Sequence, residues 1–341
     1  VSLDLAALNA WLRAEGPSLQ AIDSSEKLRG GQSNPTFLLR TAGPCYVLRR
    51  KPPGKLLKSA HAVDREYRVQ AALHGTGVPV PRMLVFCDDP AVIGAEFYMM
   101  EHVSGEGFDD PRLEHVLKGK RLLYFEDMAR VLATIHGVDL TRVGLEDYGR
   151  RGDYVRRQID RWSRQCAATS TGPVPAMDRL ERALDLACPP DDGRVSLVHG
   201  DFRIDNLLFE PGTPRVAAVL DWELSTLGHP FADLASVIMQ WRMPPGEEGR
   251  GLAGVDRDEE GLISDADFVR CYCDAAGLEK VDNLDVYVAF CFFRMAAILQ
   301  GVKKRALDGN ASDPERGLRL GALVPRYAEA GLAALEGVEL G

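Results

Sequence analysis

A basic surplus is the first thing missing from this chain. Its 341 residues carry 41 lysines and arginines against 50 aspartates and glutamates, a net charge of −9. Nothing is left over to neutralise a phosphate backbone, which argues against nucleic-acid binding. Cysteine is sparse and odd in number, seven in all. Cys271 and Cys273 are the closest pair, with no second Cys/His pair to complete a zinc site. Such usage fits reduced thiols, and the expected location is cytoplasmic. Long apolar runs are also absent. The longest, Ala289 to Leu299, has Arg294 at its centre and is too short to cross a bilayer, so a core helix is expected and no membrane contact. Residues 1–15 show an amphipathic helical pattern containing Asp4 and Arg13, without the apolar run of a signal peptide. There is no internal repeat, no Walker A loop and no Gly-x-Gly-x-x-Gly loop.

What is present reads as a soluble globular chain, 45% apolar and 27% charged, long enough for one large domain or two lobes. The first third is mainly strands: Glu26 to Arg29, Thr36 to Thr41, Cys45 to Arg50, Arg82 to Cys87 and Glu96 to Val103, with a helix over Ala60 to His74. After Gly105 the period turns helical. Helices are expected over Lys120 to His136, Tyr154 to Cys166, Ala176 to Ala187, Phe231 to Trp241, Asp265 to Ala276, Leu284 to Ala306 and Arg316 to Ala334. Among them lies a β island: Ser196 to Val198, Asn206 to Glu210 and Val216 to Leu220. The expected fold class is α+β, with a small antiparallel-sheet N-terminal lobe over residues 1–103 and a larger, mostly helical lobe over 104–341. Small sheet lobe, one-segment hinge and helical lobe is the architecture of kinases.

The segment His199-Gly200-Asp201-Phe202-Arg203-Ile204-Asp205-Asn206 puts an Asp five residues before an Asn, between two short buried strands. Phosphoryl transfer needs a carboxylate near the attacking hydroxyl and an oxygen ligand for Mg²⁺ nearby, and a catalytic loop supplies both at this spacing. The plainer alternative is a hairpin entry in which both side chains satisfy turn backbone. Against it, Asp221 follows at a strand end in Val219-Leu220-Asp221-Trp222-Glu223, apt for a metal ligand. If the strand continues, Glu223 shares its face and is either a second ligand or a solvated carboxylate. Between two strands, Gly30-Gly31-Gln32-Ser33-Asn34 offers backbone N–H groups and the Ser33 hydroxyl for close approach to phosphates. Glu66 lies on the apolar stripe of its helix and needs a partner; Arg49 is the pair drawn, with Lys51, two residues on, as the rival cation. Arg203, two residues after Asp201, could neutralise charge on a transferred phosphoryl group.

Together these segments resemble the aminoglycoside phosphotransferase and choline kinase family, which has a protein-kinase-like fold. Gly31-Gln32-Ser33-Asn34-Pro35-Thr36, Tyr46-Val47-Leu48-Arg49-Arg50, Asp64-Arg65-Glu66, Val198-His199-Gly200-Asp201 and Leu220-Asp221-Trp222-Glu223 occur in its order, from about Leu28 to beyond Asp233. More narrowly, the segment Leu220 to Pro230 and its companions look like the kinase-like domain fused to acyl-CoA dehydrogenases in animals, a group associated with phosphorylating 4-hydroxyacyl-CoA. The resemblance implies ATP and Mg²⁺ as cofactors and a small-molecule hydroxyl as acceptor, a hydroxyacyl-CoA or an aminoglycoside-like alcohol. It implies a hinge at Glu101-His102-Val103, where the Glu101 carbonyl and the Val103 N–H meet adenine. Asp201 would be the base, Gly31, Ser33, Arg49 and Glu66 the nucleotide side, Asn206 and Asp221 the metal ligands, and Asp233 a brace for the catalytic loop. Arg49 departs from the Lys of many relatives. A protein kinase is disfavoured: there is no Ala-Pro-Glu segment, and Asp-Trp-Glu replaces Asp-Phe-Gly. The remaining alternative is a non-catalytic nucleotide-binding scaffold, which would usually have lost one of Asp201, Asn206 and Asp221.

Overall fold

The computed structural model describes residues 3–28, 34–52, 62–246, 250–311 and 313–337. In chain order, the first part runs α1 (Leu5–Glu15), β1 (Ser24–Lys27), β2 (Thr36–Arg40), β3 (Tyr46–Arg50), α2 (Val63–Leu73), β4 (Met83–Cys87), β5 (Phe97–Glu101) and β6 (Glu106–Gly107). There follow α3 (Lys118–His136), α4 (Tyr154–Ala168), α5 (Pro175–Ala187), β7 (Ser196–Val198), β8 (Leu207–Phe209), β9 (Val216–Val219), β10 (Thr226–Gly228) and α6 (Phe231–Trp241). The remainder is helical: α7 (Arg257–Glu260), α8 (Asp265–Ala276), α9 (Leu284–Leu307), α10 (Pro314–Gly321) and α11 (Val324–Leu335). These elements sort into two compact units. One comprises Val1–Gly107, Asp139–Glu146 and Asn206–Ser225; the other holds Phe108–Val138, Asp147–Asp205 and Thr226–Gly341.

The first unit is built on an antiparallel sheet in the order β1-β2-β3-β5-β4. Side chains alternate between its faces, as the pleat requires. Phe37, Leu39, Leu48, Phe97 and Met99 pack with Leu8 and Leu12 of α1. Leu38, Val47, Tyr98 and Met100 pack with Val63 of α2 on the other face. The same alternation sends Arg50 to the α1 side, where its guanidinium stands 5.5 Å from the Phe37 ring centroid, and Arg49 to the α2 side. A second sheet, β6-β8-β9, belongs to this unit too.

The second unit centres on α9, which packs with α4, α5, α6, α10 and α11. At 24 residues α9 is longer than the apolar run foreseen, and by length and composition alone it could cross a membrane; 72% of its apolar window is instead buried inside this unit. The single helix expected over Arg316 to Ala334 is two, broken at Ala322 and Leu323. Pro325 explains the break: it sits in the first turn of α11, where a missing N–H costs no hydrogen bond. The acidic segment Asp256 to Glu260 contains α7, capped by the Asp256 carboxylate accepting from the Glu259 N–H. Glu260 pairs there with Lys118 Nζ at 2.8 Å and Arg121 Nη1 at 2.9 Å. Strands β6 and β10 were not foreseen, being only two and three residues long.

Phe292, fully buried in α9, should tolerate truncation poorly. Phe292→Ala is expected to lower the unfolding free energy by about 3–5 kcal/mol, read as a fall in the urea midpoint.

Candidate active site

In the first unit one guanidinium organises three carboxylates. Arg49 Nε lies 3.1 Å from Glu66 Oε2, and Nη2 lies 2.7 Å from Asp221 Oδ1 and 3.5 Å from Glu223 Oε2. The pair drawn between Arg49 and Glu66 is therefore present. Lys51 is committed elsewhere, with Nζ 2.6 Å from Glu96 Oε2. Glu66 is held on its other sides by the Tyr98 hydroxyl, donating to Oε2 at 2.9 Å, and by Asn34 Nδ2, donating to Oε1 at 3.0 Å. Burial pushes the Glu66 carboxyl up to about 7, against the pull of Arg49 and the Tyr98 hydroxyl. For Arg49 burial acts downwards, but Glu66 and Asp221 outweigh it and hold the guanidinium above its ordinary value.

The chain does not stay extended past Asp221, as the same-face argument for Glu223 assumed. Asp221 is left-handed, φ 63° and ψ 58°, and a 3-10 turn over Trp222–Leu224 follows. The turn is fixed by the buried indole of Trp222, whose Nε1 donates to the Val219 carbonyl at 3.0 Å. It brings Glu223 round by another route: one carboxylate oxygen each from Glu66, Asp221 and Glu223 lie within 4.8 Å of one another. Across the β8–β9 ladder the Leu220 N–H donates to the Asn206 carbonyl at 2.8 Å, so Asn206 and Asp221 stand at the same end of the hairpin. Clustered carboxylate oxygens beside an amide residue are a donor set that suits a hard divalent cation. Glu101 closes β5, its N–H donating to the Arg82 carbonyl at 3.0 Å. Val103, two residues on, makes no hydrogen bond through its N–H among the described residues. Gly31 and Ser33 lie outside the described residues.

In the second unit the loop after β7 is clamped by a carboxylate. Asp233, in the first turn of α6 and 1% exposed, accepts from the His199 N–H at 2.6 Å through Oδ2 and from the Gly200 N–H at 2.8 Å through Oδ1. His136 Nε2 lies 3.3 Å from Oδ2, and its Nδ1 lies 2.8 Å from the Tyr272 hydroxyl. A carboxylate only accepts, so the imidazole directs an Nε2–H toward Asp233 and its Nδ1 toward the Tyr272 hydroxyl. Burial would raise the Asp233 carboxyl; His136, His199 and the Gly200 N–H outweigh it and hold it below the usual range. Gly200 has φ +85°, a backbone angle that L side chains resist. His199 serves the loop rather than a metal: its Nδ1 accepts from the Asp201 N–H at 3.3 Å. Arg203 Nε donates to Asp205 Oδ1 at 2.6 Å and lies 4.0 Å from Asp201 Oδ2, while Arg250 also pairs with Asp205.

Sequence reasoning missed Tyr98, His136, Arg250 and the second role of Asn34. Each comes from an element far along the chain, and spacing carries no trace of such partners.

The phosphotransferase enzyme family profile matches residues 24–260. The chain belongs to that family. Among curated relatives it is 46% identical over 283 residues to mouse acyl-CoA dehydrogenase family member 10, covering 83% of this chain and 26% of that one. To chicken acyl-CoA dehydrogenase family member 11 it is 44% identical over 313 residues, covering 91% and 40%. The chain thus spans well under half the length of these relatives. A solved structure from Ralstonia eutropha, assigned to the aminoglycoside phosphotransferases, superposes with TM-score 0.89 at 42% identity, over 98% of this chain and 99% of that one. The ternary complex of aminoglycoside phosphotransferase APH(4)-Ia with AMP-PNP and hygromycin B, at 17% identity and TM-score 0.64, over 97% of this chain and 99% of that one, shares the fold. The fold class is the kinase-like α+β one.

Asp233→Asn tests the clamp. An amide would set N–H groups against the donors it now accepts from, so stability should fall by about 1–3 kcal/mol and turnover should fall with it. Unchanged thermal unfolding would show that the loop does not need this carboxylate.

Proposed function

We propose that this chain is an ATP- and magnesium-dependent phosphotransferase acting on a small-molecule hydroxyl. The observation that carries the reading is the clamped loop. Asp233 fixes two successive N–H groups directly before Asp201, whose side chain remains 38% exposed. A carboxylate held on fixed backbone yet open to solvent suits a base that takes the proton of an incoming hydroxyl. Arg203, beside it, supplies positive charge for the transferred group. On the nucleotide side Arg49, oriented by Glu66, would hold phosphate oxygens, with Gly31 and Ser33 of the glycine-rich turn. The Glu101 carbonyl and the Val103 N–H would receive adenine. Asp221, Asn206 and Glu223 would hold the magnesium ion, which when bound neutralises phosphate charge. Retention of Asp201, Asn206 and Asp221 together speaks against a non-catalytic scaffold.

For the acceptor, a hydroxyacyl-CoA is favoured over an aminoglycoside-like alcohol. The curated relatives reported above are named for acyl-CoA chemistry, and that naming is what supports the choice. A cationic sugar would need acidic groups, and of the acidic residues between 247 and 260, Glu260 already pairs with Lys118 and Arg121, while Glu247 and Glu248 lie outside the described residues. A phosphotransfer screen of hydroxyacyl-CoAs, aminoglycosides, choline and sugars tests the reading, and the absence of transfer to any acceptor would favour the scaffold.

Asp201→Asn should abolish transfer while leaving ATP affinity nearly intact, because the side chain acts on the hydroxyl; retention of more than about a tenth of wild-type turnover would remove it from the base role. Arg49→Ala should weaken ATP and slow transfer together, with Lys51→Ala much milder, and Arg49→Lys should keep part of the activity as a point cation. The opposite ranking in steady-state kinetics would make Lys51 the phosphate ligand.

A further inference from the structure

Arg294 stands in the middle of the apolar core helix α9, where Phe290, Cys291, Phe292, Phe293, Ala296 and Ala297 are all buried. A partly buried cation calls for a counter-charge, yet among the described residues no carboxylate pairs with Arg294. The titratable groups around it do not supply one. Burial pushes the Tyr154 phenol and the Cys291 thiol each up to about 12, with Arg294 pulling the other way, so both are neutral near pH 7. Asp233 is engaged by His136 and by two loop N–H groups. The hydrogen bond Arg294 does make, Nη2 to the Gly200 carbonyl at 3.2 Å, ties it to the residue directly before Asp201.

The guanidinium also faces a tryptophan. Arg294 Cζ lies 6.0 Å from the ring centroid of Trp162 on α4, and Arg161 Cζ lies 5.5 Å from the same ring. The Trp162 Nε1–H is buried and has no acceptor among the described residues. Two cations therefore meet one ring that carries an unused donor, Arg294 links that ring to the loop through Gly200, and among the described residues neither arginine has an acidic partner. A ring face can soften a cation's desolvation, but it cannot replace an anion.

We propose that Arg294, Arg161 and the Trp162 N–H form an acceptor subsite for an acyl oxygen, the carboxylate of a hydroxy acid or the carbonyl of its thioester. The proposal rests on the phosphotransferase reading and adds where the acceptor is gripped. Charge-assisted hydrogen bonds from guanidinium to such oxygens are strong and directional, and Arg294 would join acceptor recognition to the loop that bears Asp201.

The test is calorimetric titration of 3-hydroxybutyrate, 3-hydroxybutyryl-CoA and 1,3-butanediol into the wild-type chain saturated with ADP, and into Arg294→Gln, Arg161→Ala and Trp162→Phe. Acyl probes should bind the wild type more tightly than the diol, and each substitution should weaken them by about tenfold, one charge-assisted hydrogen bond's worth, with ADP affinity unchanged. Binding of the free acid alone, or of both acyl probes, identifies which source carries the oxygen. Equal affinities for acid, thioester and diol, or affinities that the substitutions do not move, would overturn the subsite and leave Arg294 as a loop brace. Arg161→Ala, at the surface, keeps the test open should the core variant fail to fold. If acyl binding depends on these residues while the wild type transfers phosphate to no acceptor, the phosphotransferase reading fails and the subsite stands.

Discussion

The first unit depends on a single buried guanidinium. Glu66, Asp221 and Glu223 bring carboxylate oxygens within 4.8 Å of one another, an arrangement that like-charge repulsion would spread apart in the absence of a cation. Arg49 supplies that cation from the α2 face of β3 and touches all three. Its placement follows from the pleat: neighbouring Arg50 is sent to the opposite face, and Lys51 reaches Glu96 instead. The planar fork suits the task better than a lysine would, because separate nitrogens can serve different carboxylates at once. Arginine at this position is therefore consistent with a denser acidic cluster rather than a loss of function.

The second unit solves a different problem with the opposite charge. Consecutive N–H groups at His199 and Gly200, with Gly200 left-handed, point at one spot, and an anion there satisfies both. Asp233 lies in the first turn of α6, where the helix dipole also favours negative charge. His136, itself bonded to Tyr272, adds a further contact, so burial does not raise this carboxyl and it is held below the usual range. The loop is thereby held at its backbone while the Asp201 side chain stays accessible, as the proposed role of proton acceptor would require.

Much of this was legible in the sequence, and the failures share a cause. The five strands of the main sheet, most helices, and the segment from His199 to Asn206 announce themselves through local period and spacing, because the forces that shape them act within a few residues. Glu66 on an apolar stripe even called for a partner and identified Arg49. Local pattern could not foresee the left-handed turn at Asp221, since it is set by how the Trp222 indole packs and bonds to Val219. The helix break before Pro325 was legible, since a proline inside a helical pattern marks a boundary, but the amphipathic stripe that runs on through it masks the signal. His136, Tyr98 and Arg250 were invisible because their roles exist only once distant elements meet.

Arg294 shows most clearly how composition can mislead about chemistry. In the sequence it served only to argue that an apolar run was no membrane span. A net charge of −9 likewise suggests a chain with little appetite for anions. Yet electrostatic recognition depends on local potential, and a few desolvated cations outweigh a larger number of solvated surface carboxylates, because screening is weakest where water is excluded. Arg49 meets its carboxylates in full. Arg203 lies near both Asp205 and Asp201, and Arg250 shares Asp205; among the described residues Arg294 pairs with no carboxylate. Along that series the positive charge left for a ligand rises. Arg294 is also bonded to the carbonyl of Gly200, directly before Asp201, so unspent positive charge lies beside the loop proposed to receive an acceptor.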